Sequence, residues 1–264
     1  MKWPMGTDWA SMTRSRETYT PGYTEPTLRL MLKRTAAKNA AFFTPFLRRG
    51  MRVLDCGCGP GTITVDLANL VSPGRVVGID LEATQLSSAQ NCSRQQGINA
   101  WFGVASVYDL PFADDQFDAV FAHALFEHLR EPVRALTEMR RVLRSSGLVG
   151  LRSPDWAGWF VNPPSALIEH AFHQFKEIQI ANGGNPHVGR SLKCLLRESG
   201  FSNVSLAASY ELVYDPAFFI DWLASCLELR GHTELRRNEA EVRAWSEHTD
   251  AFVAVSWFEG LGIA

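Results

Sequence analysis

The chain of 264 residues is poor in most of the devices that would hold a fold together from outside its core or send it to a charged surface. Its five cysteines, Cys56, Cys58, Cys92, Cys194 and Cys226, are odd in number and widely spread, which excludes a disulfide framework. Cys56 and Cys58 stand two apart inside a glycine turn, and no second Cys/His pair follows at ligand spacing, so no metal site is expected. Charge of one sign is lacking too. With 26 basic and 28 acidic residues, the net charge of −2 sets up no field that would recruit nucleic acid or an anionic membrane. The local pairs Arg140-Arg141 and Arg236-Arg237 read as solvated helix faces. No apolar run reaches membrane-spanning length, Met1–Gly6 lacks the apolar core of a signal peptide, and there are no repeats. The expectation is a reduced, cytoplasmic protein, monomer or homodimer, without nucleic-acid or membrane partners.

What is present is core-forming sequence. Hydrophobic residues make up 46% and charged residues 20%, enough for one α/β domain with elaborations. Residues 1–26, broken by Pro4, Pro21, Gly22 and Pro26, read as an extended arm. Apolar residues at helical spacing predict a helix over 27–43, closed by Pro45 and Gly50. Short apolar runs then alternate with amphipathic stretches: strands at 52–55, 75–80, 101–105, 117–122 and 148–152, helices at 62–70, 84–96 and 133–143. Strand–helix–strand at this spacing means parallel strands joined by right-handed crossovers, hence a doubly wound sheet. From Ser153 the pattern breaks at Pro154, Pro163, Pro164 and Gly183-Gly184, around a helix near 165–181. A helix at 188–199, a strand near 204–214, a helical stretch over 216–248 and an apolar run at 251–258 complete the chain.

Four segments carry chemistry. Val53-Leu54-Asp55-Cys56-Gly57-Cys58-Gly59-Pro60-Gly61 lies at a strand-to-helix junction, where parallel sheets bind ligands and glycines let backbone approach them. The dinucleotide fingerprint G-x-G-x-x-G would need glycine at Thr62. An acid two residues before the first glycine repels a pyrophosphate and suits a ligand with a cationic amino group, although a ligand-free tight turn would read the same way. Gly78-Ile79-Asp80 ends the second strand with a carboxylate that can accept both hydroxyls of a ribose or, alternatively, cap the next helix. Ser106-Val107-Tyr108-Asp109 follows the third strand, and Ala122-His123 with Glu127-His128-Leu129 follows the fourth.

Together these segments resemble the motifs of class I S-adenosylmethionine (SAM)-dependent methyltransferases. The nearest pattern is the small-molecule branch that includes the ubiquinone and menaquinone C-methyltransferases. The resemblance is strong over 50–152 and weaker over 187–214. It implies a Rossmann-like, seven-stranded sheet, mostly parallel with an antiparallel last strand, plus a helical cap. It divides the chain into an N-terminal arm and lid helix (1–45), a SAM-binding core (46–152), a cap insertion (153–187) and a C-terminal part completing the sheet (188–264). Residue by residue, it implies that Asp55, Gly57, Gly59 and Gly61 surround the methionine part of SAM. Asp80 would bind the ribose, Leu81 lie beside the adenine, and Val107 meet the adenine ring through its N–H. Ser106 replaces the usual Asp at the adenine amino group, which shifts that contact to a neutral hydroxyl or onto Asp109. Ala122 and His123 would lie near the methionine carboxylate and the methyl group. Tyr19 and Tyr23 would close over SAM as a lid, or simply pack. The Glu127-His128-Leu129 run would chiefly order the following helix.

SAM brings the reactive methyl group, so the protein must align a nucleophile and exclude water. Where a base is needed, His123, His170 and His173 are the candidates, each also readable as a packing or solvent-facing histidine. Aromatics such as Trp156, Trp159, Phe172, Phe175, Phe219 and Trp222 point to a small hydrophobic or aromatic acceptor, or to core packing. The function expected is methyl transfer to such an acceptor; the alternative is a catalytically silent SAM-binding protein on the same fold.

Overall fold

The computed structural model describes residues 18–95, 97, 98, 100–213 and 215–264. Of the arm expected over residues 1–26, residues 1–17 lie outside them. Five parallel strands come first: β1 (Arg52–Cys56), β2 (Arg75–Asp80), β3 (Ala100–Val104), β4 (Phe117–His123) and β5 (Leu143–Pro154). They are joined by α3 (Thr62–Val71), α4 (Ala83–Gln95) and α5 (Pro132–Val142), after α1 (Glu25–Leu32) and α2 (Ala36–Asn39). Then follow β6 (Phe160–Asn162), α6 (Ala166–Ala181), α7 (Val188–Glu198), β7 (Ser202–Val213), α8 (Pro216–Glu228), α9 (Glu234–Arg237), α10 (Glu239–Ser246) and β8 (Phe252–Ile263). The sheet order is β3-β2-β1-β4-β5-β8-β6, with β7 on the other side of β8. Chain order reverses between β1 and β4, which opens a crevice beyond their carboxyl ends.

Period-two alternation explains how this sheet is buried on both faces. Val53, Ala119 and Phe121 face α3 and the segment carrying Phe43 and Leu47. Leu54, Val120 and Ala122 face α5 and α7 through Leu136, Met139, Leu192 and Leu196. A third cluster joins α6, α8 and the segment after β5, where Trp156 stacks on Trp159 (3.7 Å between ring centroids) and on Phe175 (4.4 Å).

Three expectations need correction. Among the described residues the sheet has eight strands, not seven, because three residues inside the proline-rich stretch, Phe160–Asn162, pair with the start of β8. Too short to show a period, they gain strand geometry only from that partner. The single helix over 27–43 is two helices, since Thr35 begins a new one by accepting a bond from Lys38 N–H, while Asp66 Oδ2 accepts from Ala36 N–H (2.8 Å). The helical stretch over 216–248 is three helices, interrupted at Gly231, whose φ is +82°. Among the described residues, no helix is long and apolar enough to cross a membrane, and no cluster of side chains could hold a metal ion.

Gly61 shows what the strand-to-helix turn demands. It begins α3 at φ +77°, and a Cβ there would stand 2.6 Å from Ala89 Cβ and 2.7 Å from Phe102 Cε1. The left-handed backbone and the overlap with α4 and β3 both oppose a side chain. Gly61→Ala is expected to cost about 2–4 kcal/mol, read as a lower denaturant midpoint with an unchanged slope.

Candidate active site

The loop after β1 and the end of β2 form the floor of a cleft of about 620 Å³. Gly57 and Gly59 turn at φ +72° and +51°, and Gly57 and Cys58 N–H both donate to Ile79 O (2.8 and 3.0 Å). Asp80 braces the loop from the other side. Its Oδ2 accepts from Gly59 N–H (2.8 Å) and its Oδ1 from Glu82 N–H (3.0 Å), so it orders the loop and the turn into α4 and keeps lone pairs for a ligand. Asp55 is 2% exposed and accepts from Thr64 Oγ1 (2.6 Å). Burial, helped by the nearby Asp80, pushes its carboxyl up to about 7, and burial raises Asp80 as well. Neither carboxylate has an ion-pair partner among the described residues, although both line the cleft. Two carboxylates without counter-charge, beside a backbone bared by glycines, suit a ligand offering an amino group and a diol. The residues therefore fit SAM. Leu81, Ser106, Val107 and Tyr23 line the same cleft, and Tyr23 stacks on Tyr19 (5.1 Å) at its rim.

Other expected residues lie elsewhere. Gly61 packs against α4 and β3, and Ala122 is buried within the sheet's core, so neither forms the cleft wall. Asp109 is exposed and also off the wall, which leaves Ser106 as the polar group at that position. His170 and His173 sit on the exposed face of α6, where His173 meets Glu177 (3.2 Å); neither lines a cavity. Helical spacing could have signalled this, because Ile168, Ala171, Phe172 and Phe175 form the buried stripe of that helix.

His123 does reach the cleft, with its Nε2 already engaged. Its ring is 4% exposed, lies 5.0 Å from the Trp257 ring, and has Nε2 between Asn39 Nδ2 (3.2 Å) and an Arg152 guanidinium nitrogen (3.0 Å). Asn39 Oδ1 accepts from Thr35 N–H, which fixes Nδ2 as the atom facing His123. Two donors on Nε2 occupy its lone pair and place the proton of the neutral ring on Nδ1. Burial, with the charges of Arg34 and Arg152, holds the imidazole well below its usual range. Nδ1 has no partner among the described residues.

A second cavity of about 280 Å³ adjoins the first and shares Tyr19, Met31, Arg34, Ala124 and His128 with it. Its deep wall is aromatic: Trp156, Trp159, Phe175, Phe219, Trp222 and Trp257. Glu127 lines it too. Ala124, at the junction, is held at φ +52°, a strained conformation for a residue with a side chain.

The methyltransferase domain family matches residues 54–151. An uncharacterized methyltransferase of Schizosaccharomyces pombe is 34% identical over 168 residues, 61% of this chain and 60% of that one. A demethylmenaquinone methyltransferase of Lactiplantibacillus plantarum is 32% identical over 60% of this chain and 73% of its own length. The chain belongs to the class I SAM-dependent methyltransferases. It spans 60%, 53% and 44% of the length of three of its curated relatives. In fold it is similar to a putative methyltransferase from Bacillus halodurans, with a TM-score of 0.61 at 20% identity, covering 86% of this chain and 98% of that one. Within this methyltransferase, sequence reasoning passed over Arg34, Asn39, Ala124 and Glu127. Arg34 and Asn39 lie before the glycine loop with no motif around them, so only their contacts identify them.

Proposed function

We propose that the chain transfers the methyl group of SAM to a small, largely apolar or aromatic acceptor bound in the second cavity. The observation that supports this most is the common wall of the two cavities, Tyr19, Met31, Arg34, Ala124 and His128, which gives a bound acceptor and a bound cofactor one junction. On this reading Asp80 holds the ribose hydroxyls, and Leu81 and Val107 lie against the adenine. Asp55 faces the amino group, and His123 Nδ1–H faces an anionic group. When bound, the cofactor supplies a sulfonium-activated methyl group. Tyr19 and Tyr23 cover the rim and exclude water. The aromatic wall orients the acceptor by stacking and edge contacts rather than by charge.

The test has two arms. Titration calorimetry is expected to show stoichiometric binding of S-adenosylhomocysteine. Incubation with methyl-labelled SAM and a panel of aromatic hydroxy, amino and carboxylic compounds is expected to label an apolar acceptor. Absence of binding removes the cofactor assignment. Binding with SAM left intact across the panel selects the silent alternative.

A further inference from the structure

The turn after β4 places a carboxyl where a solvated surface would not keep one. Phe126–His128 is a single 3-10 turn, and its Glu127 is 4% exposed, with its side chain on the wall of the second cavity. Glu127 Oε2 has no hydrogen-bond partner among the described residues, and Oε1 lies a long 3.8 Å from His128 Nε2. Gln179 Nε2 and Asn185 N–H both donate to the Glu127 carbonyl (2.9 Å each), so the turn is gripped through its backbone while carboxyl Oε2 is left without a donor. A buried acceptor atom without a donor carries a desolvation cost that a ligand bringing the donor would offset.

We propose that Glu127 is the catalytic base of the methyl transfer and that the acceptor is a phenol-type hydroxyl bound between Glu127 and Arg34. The assignment rests on the methyltransferase reading above and deepens it. The balance is simple. The phenol oxygen forms the new O–CH₃ bond while the S–CH₃ bond breaks, and sulfur keeps that electron pair. The phenol proton passes to Glu127 Oε2 and leaves to water after product release.

The surroundings select this chemistry. Burial, opposed by its own backbone N–H, the Arg34 charge and the Ser153 hydroxyl, brings the Glu127 carboxyl to about 7. A base near that value is matched to a phenol and poorly matched to an aliphatic alcohol. His128, beside it on the same turn, is pushed down to about 3 by burial and Arg34, so it stays neutral and does not discharge Glu127. Tyr19, which meets the His128 ring edge-on (4.8 Å), is raised by burial and brings no charge. Arg34 lines both cavities, and Lys33 and Lys38 line the second. Glu211 and Asp215 line that cavity as well, and Lys38 is paired with Glu211 (2.6 Å); Arg34, whose charge reaches Glu127, stabilises a developing phenolate. The aromatic wall receives the ring.

The experiment uses the full chain. A panel of monocyclic and bicyclic phenols, with 4-nitrophenol as the most acidic member, is assayed with labelled SAM beside matched anilines and benzyl alcohols. Methyl ethers of phenols are the expected products. Glu127→Gln is expected to lower kcat/KM for the phenol about 10²–10⁴-fold. It should also abolish the acidic limb of the pH profile near 7 and leave S-adenosylhomocysteine affinity unchanged by calorimetry. Glu127→Asp is expected to recover part of the rate. Independently of turnover, infrared difference spectra of the chain with S-adenosylhomocysteine are expected to show a carboxylic C=O band titrating near pH 7 that Glu127→Gln removes. A Glu127→Gln enzyme within a few-fold of the parent, or methylation confined to the anilines or alcohols, overturns the assignment while the methyltransferase reading stands. Failure of S-adenosylhomocysteine to bind the parent chain overturns that reading itself.

Discussion

Asp80→Ala is expected to weaken S-adenosylhomocysteine binding about 100- to 1,000-fold and to remove most of the rise in melting temperature that the ligand produces. Two losses add. The carboxylate that accepts from Gly59 N–H and Glu82 N–H disappears, so the glycine loop loses its brace and the entry to α4 its cap. On the proposed reading, the acceptor for the ribose hydroxyls goes with it. A hydrogen bond to a charged group is worth about 1.5–3 kcal/mol, and two such bonds to the ligand at the lower end of that figure, about 3–4 kcal/mol, correspond to the expected range. The unliganded variant should melt close to the parent, because a raised, buried carboxylate contributes little net stability of its own. Calorimetry and a thermal-shift titration check both halves. Unchanged affinity would leave Asp80 with a capping role alone.

The second large effect is a pH-dependent stability difference between the parent and Asp55→Asn. Burial raises Asp55 from 3.8 to about 7. Between these values the folded chain keeps a proton that the unfolded chain has released. The contribution of Asp55 is therefore fully present below about pH 4 and is lost as pH rises to about 7. Three units correspond to about 4 kcal/mol as an upper figure. Asparagine does not titrate and can still accept from Thr64 Oγ1. Asp55→Asn is accordingly expected to gain stability relative to the parent across pH 4–7 and to hold the gain above it. The comparison matters because His123 and His128, held low by burial, shift parent stability in the opposite sense over the same window and cancel only in the difference. Urea midpoints at several pH values test it, and a difference that stays flat with pH would mean Asp55 is ionised throughout. The gain comes with weaker cofactor binding, since the group that is costly to bury is the one facing the amino group.

The local signals were strong where chemistry and backbone geometry sit in consecutive residues. The glycine loop, Asp80 at the end of β2 and the alternation of strand and helix periods define the doubly wound core, because turn conformation and side-chain direction follow from neighbouring residues. The same signals failed at β6, whose three residues are a strand only through pairing with β8. They also failed where one apolar pattern fits one long helix or several short ones, as over 216–248.

By itself, then, the sequence determined the family and the fold class, and it singled out Asp55, Gly57, Gly59, Asp80, Leu81, Ser106 and Val107, which the fold brings to one cleft. Only the tertiary structure decided what each histidine does. His170 and His173 face away from the cavities because α6 buries its other stripe, and His123 has its Nε2 occupied by Asn39, 84 residues earlier, and Arg152, 29 residues later. It also decided that Glu127, in a run expected chiefly to order a helix, turns a carboxyl whose Oε2 has no donor among the described residues onto the wall of the second cavity. The physical reason is common to these cases. A group's protonation and hydrogen-bonding role is set by what surrounds it in space, and the burial and contacts that set it come from segments far apart in the chain.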